Sequence, residues 1–282
     1  MAQAKHALIV GASSGIGRAI AQEVAPLATK LTLASRSCPD DLIPSIKERN
    51  PSIDVTHMKL DVSSLHEVRR FTDKHKDAAF DWIVMSPGIL SLNGRTETPE
   101  GLDVKMAIHY YGRFMIIYDL LSSLNRPGVR VLNILAAATG GKPDVNDLEL
   151  KKTYSVKRCA DFTTTYSDLM AQAFSEKAPH ASFMHATPGA VATSIANNLP
   201  WYARLPAKAL VALIARSPED CAKSMVSALT KDEFSSGWHL VGKDGEALQP
   251  TKFQTQELKD IVWKHSVSTI DQVLQQADNS NM

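Results

Sequence analysis

Three glycines in the segment LIVGASSGIGRAIA, Gly11, Gly15 and Gly17, fall between a short aliphatic run and an amphipathic stretch. At a strand-to-helix junction this spacing suits one task. The backbone turns sharply, no side chain screens it, and the unsatisfied amides of the helix start favour an anion such as a diphosphate. Ser13 and Ser14 add hydroxyl donors, with Ile16 inside the same loop. The plainer alternative is a tight turn without a ligand. The strand before and the helix after favour a dinucleotide.

The elements that hold this loop are legible as alternation. Short apolar or β-branched runs occur at 6–10, 30–35, 54–60, 80–86, 129–135, 182–188 and 237–241, with amphipathic segments at 17–27, 65–76, 102–123, 154–178 and 218–229 between them. Strands alternating with helices build a parallel α/β sheet of about seven strands flanked by helices. No repeat or Pro/Gly/Ser linker divides the chain, so residues 1–282 form a single domain. Two stretches break the pattern: a polar loop at 140–152 and an apolar excursion at 194–217. The segment 254–277 reads as a closing helix.

Composition excludes several classes. Of 282 residues, 44% are hydrophobic and 22% charged, which is ordinary for a globular protein. A balance of 31 basic and 30 acidic residues gives a net charge of +1, so no strong field draws the chain to nucleic acid. Cys38, Cys159 and Cys221 lack the spacing of a disulfide framework or zinc site. No metal is implied. The first residues lack the apolar core of a signal peptide. No apolar run reaches the ~20 residues of a membrane span, so a soluble, cytoplasmic protein is expected.

The spacing GxxxGxG, with segments downstream at matching intervals from Lys5 to about Val241, resembles the short-chain dehydrogenase/reductase family. The resemblance implies a Rossmann-type doubly wound sheet that binds a nicotinamide dinucleotide. Arg36, after Ser35 at the end of the second strand, stands where relatives that use NAD carry an acid. It can pair with a 2′-phosphate, which points to NADP(H), although a solvated arginine would look the same. By the same resemblance Asp61 and Val62 meet the adenine. Pro87 and Gly88 line the cofactor within Ser86-Pro87-Gly88, where relatives carry Asn-Ala-Gly. Pro188-Gly189-Ala190-Val191-Ala192-Thr193 matches the loop that closes over the nicotinamide, with Pro188, Gly189, Val191 and Thr193 as contacts.

The family's catalytic positions are largely replaced. Relatives use a tyrosine acid/base, a lysine four residues on that holds the nicotinamide ribose, a serine and an asparagine, so the resemblance makes Tyr154 and Arg158 cofactor contacts as well. Here Tyr154 is kept, Arg158 takes the lysine's position, with Lys157 one place early, Ala136 takes the serine's, and His109 takes the asparagine's. If Tyr154 opens the helix, either cation shares its face. Arginine keeps the charge but passes no proton. His109 is either an acid/base or a structural histidine. Thr139 stands near the missing serine, or simply in a turn. Asp161 either reaches the nicotinamide or pairs with Arg158.

Trp201, Tyr202, Leu205, Leu210, Val211 and Ile214 make the 194–217 excursion apolar, which suits a lipophilic, even polycyclic, small-molecule substrate, or else a homo-oligomer interface of a dimer or tetramer. Several segments resemble a divergent fungal branch of the family that serves secondary metabolism. The leading expectation is an NADP(H)-dependent oxidoreductase acting on a C=O or C=N. The alternatives are a cofactor-binding isomerase or cyclase and a non-catalytic NADP(H)-binding protein.

Overall fold

Strands covered by helices on both sides must be apolar on both faces, and the central strands here are. In the computed structural model, which describes residues 4–200 and 215–280, eight strands form one sheet. They are β1 (Ala4–Val10), β2 (Ala28–Ser35), β3 (Asp54–Lys59), β4 (Trp82–Met85), β5 (Arg130–Ile134), β6 (Ser182–Ala186), β7 (Gly237–Val241) and β8 (Ala247–Leu248). Their order is β3-β2-β1-β4-β5-β6-β7-β8. Neighbours from β3 to β7 run parallel, and only β8 is antiparallel to its neighbour. The seven expected strands are present. The eighth is a two-residue edge strand, too short to leave a period-two signal in the sequence.

The helices are α1 (Gly15–Val24), α2 (Leu42–Lys47), α3 (Leu65–His75), α4 (Val104–Met106), α5 (Gly112–Leu124), α6 (Val156–Lys177), α7 (Pro218–Thr230) and α8 (Gln256–Ser280). The expected helix at 102–123 is interrupted by a π-helical turn at Ala107–Tyr111, centred on His109. Such turns recur at functional sites.

Alternate residues of β1 divide between two cores, as the period of two requires. Leu8 and Val10 pack with Phe71 of α3, Phe114 of α5 and Phe174 of α6. Ala7 and Ile9 pack with Ile20 of α1, Ile46 of α2 and Met225 of α7. Helix α8 closes the first core: Val262, Ile270 and Val273 are buried in it. The hydroxyl of Tyr110 meets Ser266 Oγ at 2.7 Å, and that of Tyr111 meets His265 Nε2 at 2.8 Å. The apolar face of the closing helix thus belongs to the core.

Strand order reverses between β1 and β4, and ligands of doubly wound sheets bind at that switch point, beyond the carboxyl ends of the strands. At the opposite end of the sheet, Arg130 is buried and donates to the carbonyls of Leu229 and Lys231 at the end of α7, a structural role.

Candidate functional site: a cleft at the switch point

The glycine turn is forced by close approach. Gly11 has φ +87°, and a Cβ on it would stand 2.8 Å from the nitrogen of Pro87. A Cβ on Gly17 would lie 2.3 Å from the carbonyl oxygen of Gly11. No side chain can be added at either without moving backbone. The result seats the first turn of α1 against the end of β1. Ser14 is the N-cap of α1 but makes no side-chain capping bond, and no acidic residue stands in that first turn. Its amides therefore face the cleft without a side-chain partner, which is the arrangement that receives a phosphate.

The cleft, about 270 Å³, is lined by Gly11, Ser13, Ser14, Gly15, Ile16 and Gly17, by Ser35 at the end of β2 and Arg36 after it, and by Asp61 and Val62 after β3. Ser86, Pro87, Gly88 and Ile89 after β4, Ile108 of the π turn, and Thr193, Ser194 and Ile195 complete it. Of the cofactor contacts expected from the sequence, all but five come together here: Pro188, Gly189, Val191, Tyr154 and Arg158 are outside the lining. Val191 bridges Arg216, and that pairing sets the path of the chain into Thr193. A Cβ on Gly15 would touch Thr193 Cγ2 at 3.2 Å, so this loop packs against the glycine turn.

Side-chain chemistry differs among the lining residues. Arg36 is exposed and makes no ion pair or side-chain hydrogen bond among the described residues, so its donors are available to an anion. Ser35 is occupied: its hydroxyl donates to the carbonyl of Ser37 and meets His57 Nε2 at 2.9 Å. Asp61 Oδ1 accepts from the backbone and the hydroxyl of Ser63.

The structure revises the expected catalytic group. Tyr154 precedes the helix: Ser155 is the N-cap of α6, accepting from the backbone N–H of Arg158. The premise that Tyr154 and the cations share a helix face therefore fails. The Tyr154 hydroxyl is buried and makes no hydrogen bond, and its ring lies 5.4 Å from Lys105 Nζ. Burial, then the neighbouring Cys159 and Asp103, push its phenol well above the ordinary value. Arg158 pairs with Asp144 at 3.5 Å, in the polar loop before α6. Asp161 pairs with Lys157 at 2.6 Å, the bland outcome with a different partner from the one expected. Thr139 is exposed and donates to the carbonyl of Ala136, closing a turn.

His109 stays close to the cleft. Its Nε2 accepts from the backbone N–H of Ile89 at 3.1 Å and would lie 3.8 Å from a Cβ on Gly88. Burial, with the Arg113 and Lys105 cations, lowers its pKa to about 3. The ring is therefore neutral at ordinary pH, and its Nε2 holds the loop after β4 as a hydrogen-bond acceptor.

Two groups escaped the sequence reading. Below the missing serine, His185 Nδ1 meets Asp168 Oδ1 at 2.6 Å, both side chains fully buried. His185 Nε2 accepts from the N–H of Ala136, and Asp168 from that of Ala138, which has φ +60°. This pair ties the loop after β5 to α6 and β6. The second group is Arg113, fully buried in α5. A lone cation in the apolar run GRFMII was the available signal.

Fold and cleft together define a dinucleotide-binding doubly wound α/β protein. A profile of the short chain dehydrogenase family matches residues 5–200, and the chain belongs to that family. Among curated relatives, oxidoreductase AN1596 of Emericella nidulans is 25% identical over 95% of this chain and 93% of its own. The NmrA-like family domain-containing oxidoreductase notO of an Aspergillus species is 29% identical over 66% of this chain, which spans 60% of that protein. Human polyprenol dehydrogenase is 23% identical, covering 92% of this chain and 83% of its own. Of solved structures, levodione reductase superposes with a TM-score of 0.65 at 19% identity, covering 87% of this chain and 98% of its own. A short-chain dehydrogenase from Sphingobium yanoikuyae in complex with NADPH gives 0.61 at 16% identity, covering 83% and 87%. Among the described residues no helix is long and apolar enough to cross a membrane, and no cluster of His, Cys, Asp or Glu could hold a metal.

Proposed function

We propose that this oxidoreductase binds NADP(H) in the cleft and transfers hydride to or from a C=N, or a C=O, of a lipophilic small molecule. One observation carries the reading: an uncapped helix start behind the glycine turn opens into a cleft whose β2 edge bears the unpaired Arg36. The glycine-turn amides and the Ser13 and Ser14 hydroxyls would hold the diphosphate. Arg36 would hold the 2′-phosphate, with Asp61 and Val62 beside the adenine and Pro87, Gly88 and Thr193 along the rest. The bound cofactor supplies or accepts hydride. The names of two matches, a polyprenol dehydrogenase and an NADPH complex, agree with this reading.

The C=N form is preferred on the chemistry of the site. None of the four family positions presents a proton donor to the cleft: the Tyr154 hydroxyl lies outside its lining, Ala136 has none, His109 accepts, and Arg158 is paired with Asp144. A C=N that arrives as an iminium takes hydride to give a neutral amine, so it needs no such donor. A lipophilic substrate is supported by exposed Leu90, Leu92 and Ile195, of which Ile195 lines the cleft. The aromatic segment 201–214, on which the sequence argument for such a substrate rested, lies outside the described residues. The same replacements support a second reading, an isomerase or cyclase that keeps the cofactor without net redox. Product formed with no change in NADPH absorbance would select it. The reading also places the chain in the cytoplasm as a homo-oligomer, dimer or tetramer, for which light scattering is the test.

The decisive experiment is calorimetry with NADPH, NADP+ and NADH on the wild type and on Arg36→Ala. Loss of a charge-assisted pair of about 1.5–3 kcal/mol should weaken NADP(H) by roughly ten- to a hundredfold and leave NADH unchanged. Absence of binding by all three would sink the proposal.

A further inference from the structure

Arg113 follows the π turn and is completely buried. All three of its guanidinium nitrogens donate to neutral acceptors. Nε donates to the carbonyl of Ile108 at 3.2 Å, Nη1 to Asn133 Oδ1 at 2.5 Å and to the carbonyl of Ile134 at 2.8 Å, and Nη2 to the carbonyl of Pro87. No carboxylate pairs with it among the described residues. Burial lowers its pKa to about 9, which leaves the cation in place at neutral pH. His109, whose pKa the Arg113 cation helps to lower, is neutral.

A clamp joining the ends of β4 and β5 to the π turn needs donors but does not need a charge. An unpaired buried cation is costly, and a neutral donor would make the same kind of bonds without that cost. The charge therefore calls for its own account, and its location supplies one. Pro87, whose carbonyl Arg113 holds, and Ile108 both line the cleft. Across the sheet the order is β3-β2-β1-β4-β5. Ser35, Arg36, Asp61 and Val62 mark the β2/β3 side, whereas Arg113 lies beneath the β4/β5 side. A dinucleotide with its adenosine at β2/β3 and its diphosphate on α1 carries its nicotinamide half toward β4/β5.

We propose that Arg113 is a specificity-determining cation that sets which oxidation state of the cofactor this chain prefers. This rests on the NADP(H) reading above. The oxidised nicotinamide ring carries one positive charge and the reduced ring carries none, while their phosphates are alike. A fixed buried cation under that half of the cleft disfavours the oxidised ring. At an effective dielectric near 20, repulsion between two unit charges kept apart by the cleft floor gives a preference for NADPH over NADP+ of about five- to twentyfold.

Three substitutions separate charge from scaffolding. Asn133→Asp sets a carboxylate against Nη1 while keeping the guanidinium and its other bonds. Arg113→Gln removes the charge, and Arg113→Lys keeps it with fewer bonds. Dissociation constants for NADPH, NADP+ and the ring-less fragment 2′,5′-ADP are measured by calorimetry on the full chain. The wild type should favour NADPH by the ratio given. Asn133→Asp and Arg113→Gln should bring that ratio close to one, Arg113→Lys should keep it, and the fragment should bind Asn133→Asp as it binds wild type. If Arg113→Gln fails to fold, Asn133→Asp decides. An unchanged ratio in Asn133→Asp, no preference in the wild type, or an equal change for the fragment overturns the proposal. A wild type that binds none of the three ligands overturns the NADP(H) reading instead.

Discussion

Replacing Tyr154 by Phe tests the placement on which the choice of reaction depends. Its hydroxyl is buried beside Asp103 and Cys159 with no partner in hydrogen-bonding geometry, while its ring sits near Lys105 Nζ. Phenylalanine keeps the ring and its contact with the cation and removes only the oxygen. An unsatisfied buried polar group costs about 1–3 kcal/mol. The small void left by the oxygen offsets part of the gain, so the variant should be more stable by roughly 1 kcal/mol. In a chain of this size that raises the melting temperature by about 2–3 °C. Urea unfolding followed by circular dichroism measures the free energy directly. Turnover with NADPH should stay within about fivefold of wild type, since loss of a working proton donor costs about 10²–10⁴. A variant destabilised by more than about 1 kcal/mol would refute the reasoning, because the hydroxyl would then be bonded to Asp103 or Cys159. A hundredfold loss of turnover would return Tyr154 to the reaction as its acid.

Three further outcomes follow from the same geometry. His109 has a folded pKa of about 3 against 6.5 unfolded, so the unfolded chain binds the extra proton: stability is full above pH 6.5 and falls by up to about 1.4 kcal/mol per unit as pH drops toward 3. Urea midpoints measured across that window should lose part of this slope in His109→Gln. Ile270→Ala, in the buried face of α8, should cost about 2–4 kcal/mol in chemical denaturation, and a cost below 1 would mean that α8 does not close the core. Asp168→Asn should destabilise by about 3 kcal/mol or more, since it removes one partner of a fully buried pair, and a neutral result would show that His185 needs no carboxylate.

The sheet was legible because its strands are β-branched and aliphatic runs of the right length, and each expected strand lies within two residues of its observed bounds. The glycine turn was legible for a steric reason: Gly11 and Gly17 stand where a Cβ would enter backbone, and that need is written in residue type. The catalytic positions were less so. Sequence spacing placed Tyr154 on a helix, but Ser155 supplies a better N-cap, and the helix starts one residue later. Ion pairs such as Arg158 with Asp144 depend on how the 140–152 loop folds back, which periodicity does not encode. Arg113 and the His185–Asp168 pair became visible only once β4, β5, β6 and the helices were stacked, because each is defined by partners far away in the chain.

The seating of α8 bears on how the protein is made. Tyr110 waits for Ser266, 156 residues downstream, and Tyr111 for His265, 154 residues downstream. While the ribosome is still working toward those residues, the faces of α5 and α6 that α8 covers stay bare, with Phe114 and Phe174 among the rings awaiting Trp263. The chain therefore matures as a whole after synthesis has passed α8, and the interval before then is when chaperones would have most to shield.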